Sequence, residues 1–515
     1  MITLVRPPVI FPAMAVGNEA TPCIGLAYIA GYLRDHGYDP FIIDGMVDAL
    51  NEVWPLKKYP GFQCQGLRFS EIIDRIPKET KIIGIRSMFS GEWPVVRDLI
   101  FEIKKHFPNV IIVAGGEHIT AMTEYSLRDC NVIDYCVIGE GERAFYHLCD
   151  ALFKGNEIKK INALAYLDRN GEYYQTSSVT RINNINQIPW PYWPDGYLEK
   201  FWDAGKSFGI QTARDMPMMI TRGCPYECTF CSNPFMYTRK YVVRDIDDII
   251  SEIKYYIKKY DITGIQLYDL TAVVKRDWMI ELLRAVIDNK INVNWQFPSG
   301  TRSEALDKEV LELLKQVGTG YICYAPESGS GRSLRKMKKK IDLDKMTKSI
   351  HNAKKLGLTV RANIIIGFPF ETRKDILKSI WYALKLTAKG VDDIQPYIYS
   401  PYPGTELFNE LVNDGSIIVN DEYFFSLIGL NSDLTNFKPL VFTKNINAWE
   451  LAIYRLLFTL FAYGISYLLK PSRFVRTMKN LYSKDNAETV FEARLKGIIH
   501  RKDVDKVGGP QRINH

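Results

Sequence analysis

Short apolar runs alternate with longer amphipathic stretches through most of the chain. In the first 157 residues the runs are Ile2–Val5, Pro40–Ile43, Lys81–Ile85, Val110–Val113 and Ile133–Val137. Helical spacing fills the gaps near Gly25–Asp35, Pro94–Lys105 and Glu142–Phe153. Runs that are apolar throughout, rather than at every second position, belong to strands buried on both faces, and helices between them give parallel connections. The pattern predicts a five-stranded doubly wound α/β domain over residues 1–157, with ligands at the carboxyl ends of its strands.

The rhythm fails over residues 158–214. Asp168-Arg-Asn-Gly171 is a turn signal, and Ile188-Pro-Trp-Pro-Tyr-Trp-Pro194 excludes a helix interior, so a connector with a small hairpin is expected. Alternation resumes at Pro217–Thr221, Gly264–Tyr268, Asn292–Trp295, Tyr321–Tyr324, Thr359–Ile366 and Asp393–Tyr399. Helical segments such as Ile246–Lys258 and Leu343–Lys355 follow them. Units of this kind build a partial (β/α)6 barrel over residues 215–415, with its working face at the strand C-termini. Residues 416–515 read as mostly helical, with Lys502–His515 frayed.

Composition changes this picture little. A chain of 515 residues exceeds one core, and 46% hydrophobic with 24% charged residues is ordinary for a globular protein. The net charge of +7 is spread along the chain, which gives no nucleic-acid partner. Six of the nine cysteines are scattered and the count is odd, so a reducing, cytoplasmic setting is expected rather than a disulfide framework. Met1 leads straight into an apolar run, so no secretory leader is expected.

The other three cysteines carry the chemistry. Thr221-Arg-Gly-Cys224-Pro-Tyr-Glu-Cys228-Thr-Phe-Cys231 follows the first barrel strand. Three thiolates at CxxxCxxC spacing can hold three corners of a 4Fe–4S cluster, and the missing fourth cysteine leaves one iron open to an external ligand. The competing readings are a zinc knuckle and inert thiols. Structural zinc asks for four ligands, and no further Cys or His lies close in sequence.

With an aromatic residue, Phe230, before the last cysteine and a β/α barrel behind it, this motif resembles that of the radical S-adenosylmethionine superfamily. The order of later segments agrees: Asp269 follows the second barrel strand, Pro326-Glu-Ser-Gly-Ser330 the fourth, Ile366-Gly-Phe-Pro-Phe-Glu-Thr372 the fifth and Pro401-Tyr-Pro-Gly-Thr405 the sixth. The resemblance implies that the open iron on Cys224, Cys228 and Cys231 chelates S-adenosylmethionine. One electron from a donor such as flavodoxin or ferredoxin then releases a 5′-deoxyadenosyl radical. It also implies cofactor contacts by Phe230, by Asp269 and Glu327 near the methionine amino group and ribose, and by Gly367 beneath the adenine. Glu327 also reads as a helix cap and Gly367 as a turn residue. Leu270 stands where the family often has a second acid.

In front of such a barrel, the loops Ser87-Met-Phe-Ser90, Gly115-Gly-Glu-His118 and Gly139-Glu-Gly-Glu142 each follow an expected strand. Their order is similar to that of Rossmann-like cobalamin-binding domains, in the class of the anaerobic magnesium-protoporphyrin ester cyclases and many carbon and phosphorus methylases. The resemblance covers residues 1 to about 415 and implies cobalamin contacts at Ser87, Gly115, Gly116 and Gly139. Arg6-Pro-Pro-Val-Ile-Phe-Pro12 has no histidine, so the cofactor would sit base-off with solvent, Met88 or Phe89 below cobalt. His118 reads either as a contact to the cofactor tail or as a surface turn residue. A cofactor-free domain covering the barrel is the competing reading. No GxGxxG follows the first strand, which argues against nicotinamide.

Near the C-terminus, Leu456–Leu469 is an uninterrupted apolar stretch of 14 residues, too short for a comfortable span. A core or dimer helix is expected. Lys470, Arg473, Arg476 and Lys479 follow, which keeps a peripheral membrane contact, or a wall for a lipid-like substrate, as the competing reading. Taken together, the chain reads as a cobalamin-dependent radical methylase acting on an unactivated carbon of a small-molecule or lipid-like substrate. Oxidative cyclisation, ring contraction or rearrangement without methyl transfer, and a non-catalytic electron-transfer protein, are the alternatives. No side chain is singled out as catalytic.

Overall fold

The five apolar runs at the start of the chain lie side by side as parallel strands. In this computed structural model, which describes residues 1–13, 20–179, 181–208, 210, 212–429, 440–482, 489 and 492, they are β1 (Ile2–Arg6), β2 (Phe41–Asp44), β3 (Ile82–Arg86), β4 (Ile111–Gly115) and β5 (Tyr135–Val137). Their order is β2-β1-β3-β4-β5. The direction of winding reverses at β1/β3, so ligand space opens at the carboxyl ends there. On the β1 side that space is filled. Arg6 pairs with Asp44 at 3.2 Å, and the Tyr197 hydroxyl donates to the same carboxylate at 2.5 Å. The open side is at β3, β4 and β5.

The hairpin expected within 158–214 is β6 (Leu164–Leu167) and β7 (Tyr173–Gln175), turned at Asp168, whose carboxylate accepts the Asn170 and Glu172 amides. It is not confined to a connector. β6 pairs antiparallel with β5, so the first sheet has seven strands and runs past residue 157. Ala163, Leu164 and Ala165 are fully buried, and this short apolar run is what covers the β5 edge. A three-stranded sheet of Val9–Pro12, Val53–Pro55 and Phe62–Gln65 was not legible in the sequence, because its strands are short and two of them end in proline.

The second unit is a six-stranded parallel sheet in sequence order: β8 (Asp215–Met218), β9 (Gly264–Leu267), β10 (Asn294–Thr301), β11 (Thr319–Glu327), β12 (Thr359–Ile366) and β13 (Asp393–Ile398). β10 and β11 are longer than their apolar runs. Register shifts near Phe297–Thr301 and Tyr324–Glu327 absorb Pro298, Gly300 and Pro326 at their carboxyl ends. One face of β12, Val360, Ala362, Ile364 and Ile366, packs into the same core as Met346, Ile350, Ile376 and Ile380 of the surrounding helices. The other face, with Arg361, Asn363 and Ile365, lines the lumen.

The C-terminal helices are divided between the two units. In helix Asp421–Gly429, Asp421 pairs with Arg97 at 2.7 Å, and Phe425 joins the core of the three-stranded sheet. Helix Ala448–Leu469 has 22 residues, starting earlier than its uninterrupted apolar part. It is long and apolar enough to cross a membrane by length and composition, but Leu451, Arg455, Phe458 and Ala462 are buried against the barrel. Of the four basic residues after it, Arg473 is buried. It donates to the Gly390 and Val391 carbonyls at 2.6 and 3.1 Å and pairs with Asp392 at 2.8 Å. Arg476 pairs with Glu492 at 3.3 Å. Only Lys470 and Lys479 are exposed, so the basic flank read from the sequence is halved. Lys502–His515 lie outside the described residues.

Arg473 ties helix Pro471–Tyr482 to the barrel through groups that have no water to turn to. Arg473→Ala is expected to cost about 3 kcal/mol, the usual penalty for deleting one partner of a buried charge pair. Urea unfolding should show the lower midpoint, and Arg473→Lys should recover part of it.

Candidate functional site

Cluster-loop geometry begins at Asp269. Its buried carboxylate accepts the Ile220 amide at 3.2 Å and both the amide and hydroxyl of Thr221 at 2.5 Å. Burial pushes this carboxyl up to about 6, against hydrogen bonds that pull it down. Asp269 therefore holds the chain where it enters the loop. Thr221–Arg222 then pairs antiparallel with Val242–Val243. Gly223 has φ +86°, and a Cβ there would strike the Lys240 carbonyl oxygen.

Further along, Thr229 is held at both backbone ends: its amide donates to the Met337 carbonyl at 3.1 Å and its carbonyl accepts the Leu407 amide at 3.1 Å. Asn233 donates back to the Cys224 carbonyl at 3.0 Å. The loop so fixed carries the three half-exposed cysteines, Cys224, Cys228 and Cys231, whereas Cys23, Cys64, Cys130, Cys136, Cys149 and Cys323 are all buried. Burial raises all three thiols, Cys231 to about 12, while Lys339 and Arg302 pull Cys224 and Cys228 down. Among the described residues no three His, Cys, Asp or Glu side chains converge closely enough for a single ion. A cuboidal cluster makes a different demand, since each sulfur meets its own iron. Three accessible thiols beside two cations suit a cluster of thiolates.

Glu327 closes the far side. It has φ +63°, and the Ser328 amide donates across it to the Pro326 carbonyl at 2.8 Å, a strained γ-turn at the end of β11. Its carboxylate pairs with buried Lys339 at 3.0 Å. Burial pulls the Lys339 ammonium down, but Glu327 and the Cys228 thiol together hold it above the usual value. Glu327 is not a helix cap, because Ser330 caps the following helix by accepting the Ser333 amide. Phe230 packs edge-on to Phe368, with ring centroids 5.5 Å apart, beside Phe370 and Tyr399.

Gly367 is packed against the C-terminal helix. Its φ is +92°, and a Cβ would come within 2.7 Å of Leu451, so the close approach it permits is by helix Ala448–Leu469. The Gly367 amide donates to Glu371 Oε2 at 2.8 Å, and the Ser333 hydroxyl donates to Oε1 at 3.0 Å. Burial pushes Glu371 up to about 7.

The loops after β3, β4 and β5 face this site. The Ser87 amide donates to the Gly115 carbonyl at 2.8 Å, and its buried hydroxyl has no hydrogen-bond partner. Gly116 has φ +120°, and a Cβ would strike the Ser87 carbonyl. Gly115 has only Val137 within 4 Å, at 3.8 Å, so space opens above it. A Cβ on Gly139 would meet Val179 at 2.6 Å and the Met236 carbonyl at 3.4 Å. Ser232 donates to Glu117 from the cluster side. His118 is neither a tail contact nor a surface residue. It is fully buried, stacks on Trp93 at 4.8 Å and is bonded to the Ser90 and Ser126 hydroxyls at 3.0 and 3.2 Å. Burial lowers it to about 3, so it stays neutral. The orphan Ser87 hydroxyl and the open space above Gly115 suit a large polar cofactor, whereas Gly116 and Gly139 are crowded by protein atoms.

One set of residues escaped the sequence. Buried Arg222 pairs with Glu142 at 2.6 Å and Glu140 at 3.3 Å, and Arg181 joins Glu140 at 2.7 Å. Both partners lay inside quoted motifs, but only the fold brings them together. A cleft of about 630 Å3 lined by Lys58, Phe69, Asp98 and His106 includes none of these residues.

The B12-binding-domain model matches residues 13–149 and the radical SAM superfamily model residues 218–381. An uncharacterized methyltransferase from Pyrococcus horikoshii is 30% identical over 419 residues, 81% of this chain and 84% of that protein. The chain belongs to the cobalamin-binding radical SAM family. As a radical SAM enzyme of this kind it uses a 4Fe–4S cluster, S-adenosylmethionine and cobalamin. It is 26% identical to the anaerobic magnesium-protoporphyrin IX monomethyl ester cyclase of Rubrivivax gelatinosus, over 78% of this chain and 69% of that one. Its fold is similar to that of the radical S-adenosylmethionine methyltransferase TsrM from Kitasatospora setae, solved with cobalamin and a 4Fe–4S cluster bound. There the TM-score is 0.65 at 13% identity, covering 98% of this chain and 99% of that one.

Two substitutions separate cofactor space from fold. Gly115→Val should keep iron content and thermal stability but lower retained cobalamin at least tenfold, measured after desalting, whereas Gly116→Val should also lower the melting temperature. Glu371 sets a pH dependence. An unfolded Glu ionises near about 4.3, and the folded one near about 7. Between these values the folded state keeps a proton that the unfolded chain has lost, so this group's contribution to stability falls as pH rises. Glu371→Gln should flatten the melting temperature against pH from about 4.5 to 7 relative to the parent.

Proposed function

We propose that the enzyme transfers a methyl group to an unactivated carbon of a small molecule held in the barrel lumen, with an external one-electron donor. The observation that carries this reading is the meeting of the two cofactor loops at one interface. Ser232, next to Cys231, donates to Glu117, next to Gly116, and Gly139 lies against the helix that follows the cluster loop. A substrate carbon in the lumen below would then be within reach of both cofactors. The similarity to a methyltransferase at 30% identity supports transfer as the outcome.

This chain's residues position and protect. The Thr229 clamp fixes the cluster loop to Met337 and Leu407, and the Arg222 pairs with Glu140 and Glu142 hold it against the loop after Gly139. Lys339 places a positive charge beside Glu327 and Cys228 at the cluster. Phe368, Tyr399 and Phe408 form an apolar shield continuous with the first core, which excludes water and stray hydrogen donors. Bound together, the cluster and S-adenosylmethionine supply a hydrogen-abstracting radical, and cobalamin supplies the methyl group. A second reading, oxidative cyclisation without methyl transfer, is favoured by the 26% identity to the cyclase.

Cys224→Ala, Cys228→Ala and Cys231→Ala should each lose iron and stop 5′-deoxyadenosine release, while alanine at the six buried cysteines should leave both intact. Anaerobic turnover with methyl-labelled S-adenosylmethionine, followed by mass spectrometry, tests the outcome. A substrate-derived product lacking the label would refute methylation in favour of cyclisation.

A further inference from the structure

The lumen contains a charge arrangement outside the residues assigned above to either cofactor. Arg361 on β12 and Asp393 on β13 are Cα partners, and both side chains leave the strands on the lumen side. Each is buried, yet no carboxylate lies within 4.0 Å of the Arg361 guanidinium among the described residues. It donates to the Tyr397 hydroxyl, and its Nε has no hydrogen-bond partner. Asp393 accepts the Tyr463 hydroxyl at Oδ1, and Oδ2 has no partner. On the same lumen face, Asn363 Oδ1 and Gln296 Oε1 are also buried without partners.

The Tyr321 hydroxyl also faces the guanidinium and the Asp393 carboxylate acts on it from beyond ion-pair distance, but these leave its Nε unbonded, a costly arrangement unless something else completes it. Tyr321 and Cys323 of β11 are fully buried beside Arg361, but further along the wall the lumen is not filled by packing. Asn363, Ile365 and Tyr397, in mid-strand positions whose neighbours on the opposite face are fully buried, keep accessible surface. The planar fork of an arginine matches carboxylate and phosphate oxygens in pairs, which an ammonium does not.

We propose that Arg361 binds an oxyanion group of the substrate, a carboxylate or a phosphate, on the lumen wall below the strand C-termini. Asn363 and Gln296 add acceptors for hydrogen-bond donors on the same molecule. Asp393, held by Tyr463 of helix Ala448–Leu469, repels the anion from its own side and confines it to the Arg361 fork. The substrate class is thus a polar molecule with an anionic end, in place of the lipid-like substrate that the apolar C-terminal helix suggested. This deepens the proposed function and rests on it for the identity of the lumen as the substrate chamber.

The test uses the anaerobically reconstituted full chain, titrated with inorganic phosphate and separately with acetate at ionic strength matched by chloride. Thermal shift and calorimetry are the readouts. One of the two anions should raise the melting temperature in a saturable manner that chloride does not reproduce, and which one it is distinguishes phosphate from carboxylate. Arg361→Met should weaken that binding at least tenfold, and Arg361→Lys, which keeps the charge but not the fork, should weaken it less. No saturable response to either anion, or equal affinity in the parent and Arg361→Met, overturns the proposal. If Arg361→Met does not fold, unchanged affinity in Arg361→Lys overturns it instead. Iron content and 5′-deoxyadenosine release are measured on the same samples. Their loss with anion binding intact counts against the proposed function, and the reverse pattern counts against the anion site.

Discussion

Arg222 is the constraint on which the rest of the site depends. It lies two residues before Cys224, and its partners Glu140 and Glu142 lie within three residues after Gly139, so buried ion pairs join the two cofactor loops directly. A buried guanidinium between two carboxylates has little freedom, because any displacement leaves a charge uncompensated in an apolar setting. Tyr28 stacks under Arg222 at 5.0 Å, and Arg181 holds Glu140 from the other side. The pair brings little net stability, since desolvation offsets the attraction. What it provides is a single relative position for two loops on separate sheets.

How much of this was legible depended on whether the determining contacts were local. β12 was read from end to end, since Thr359–Ile366 is one uninterrupted segment with helical sequence on both sides. The cysteine loop was legible for the same reason: its chemistry lies in a spacing of eight residues. Asp269 and Gly367 were found in the right places but with other neighbours, because Ile220 and Leu451 reach them only through the fold. His118 was misjudged for a related reason. The Gly-Gly before it suggested an exposed loop, but the chain turns at once into helix Glu117–Ala121 and carries the imidazole inward onto Trp93. The second-sheet strands β10 and β11 outran their apolar runs because bulges accommodate residues that ordinarily stop a strand.

The two units share cores as well as charges. Phe368, Tyr399 and Leu407 from the barrel mouth belong to the same apolar cluster as Ile85, Ala114 and Val137 of the first sheet, while Met46 and Leu50 of the first unit sit in the barrel's core. Apolar burial of this extent holds the two strand-end surfaces together, and the Arg222 network sets their register. Neither would suffice alone: apolar contact is non-directional, and the ion pair is directional but energetically small.

Helix Ala448–Leu469 has a consequence that reaches beyond the site. Among the described residues β13 ends the parallel sheet, with no further strand beside it. An unprotected border strand offers its free amide and carbonyl row as a template for foreign chains. The helix lies along that border, with Leu451 seated on Gly367 and Tyr463 on Asp393. It therefore acts as a guard against self-association, and a fragment that ended after β13 but before this helix would tend to polymerise through β13 before it could be tested for chemistry. Shortened versions of this enzyme need to keep the chain through the end of that helix.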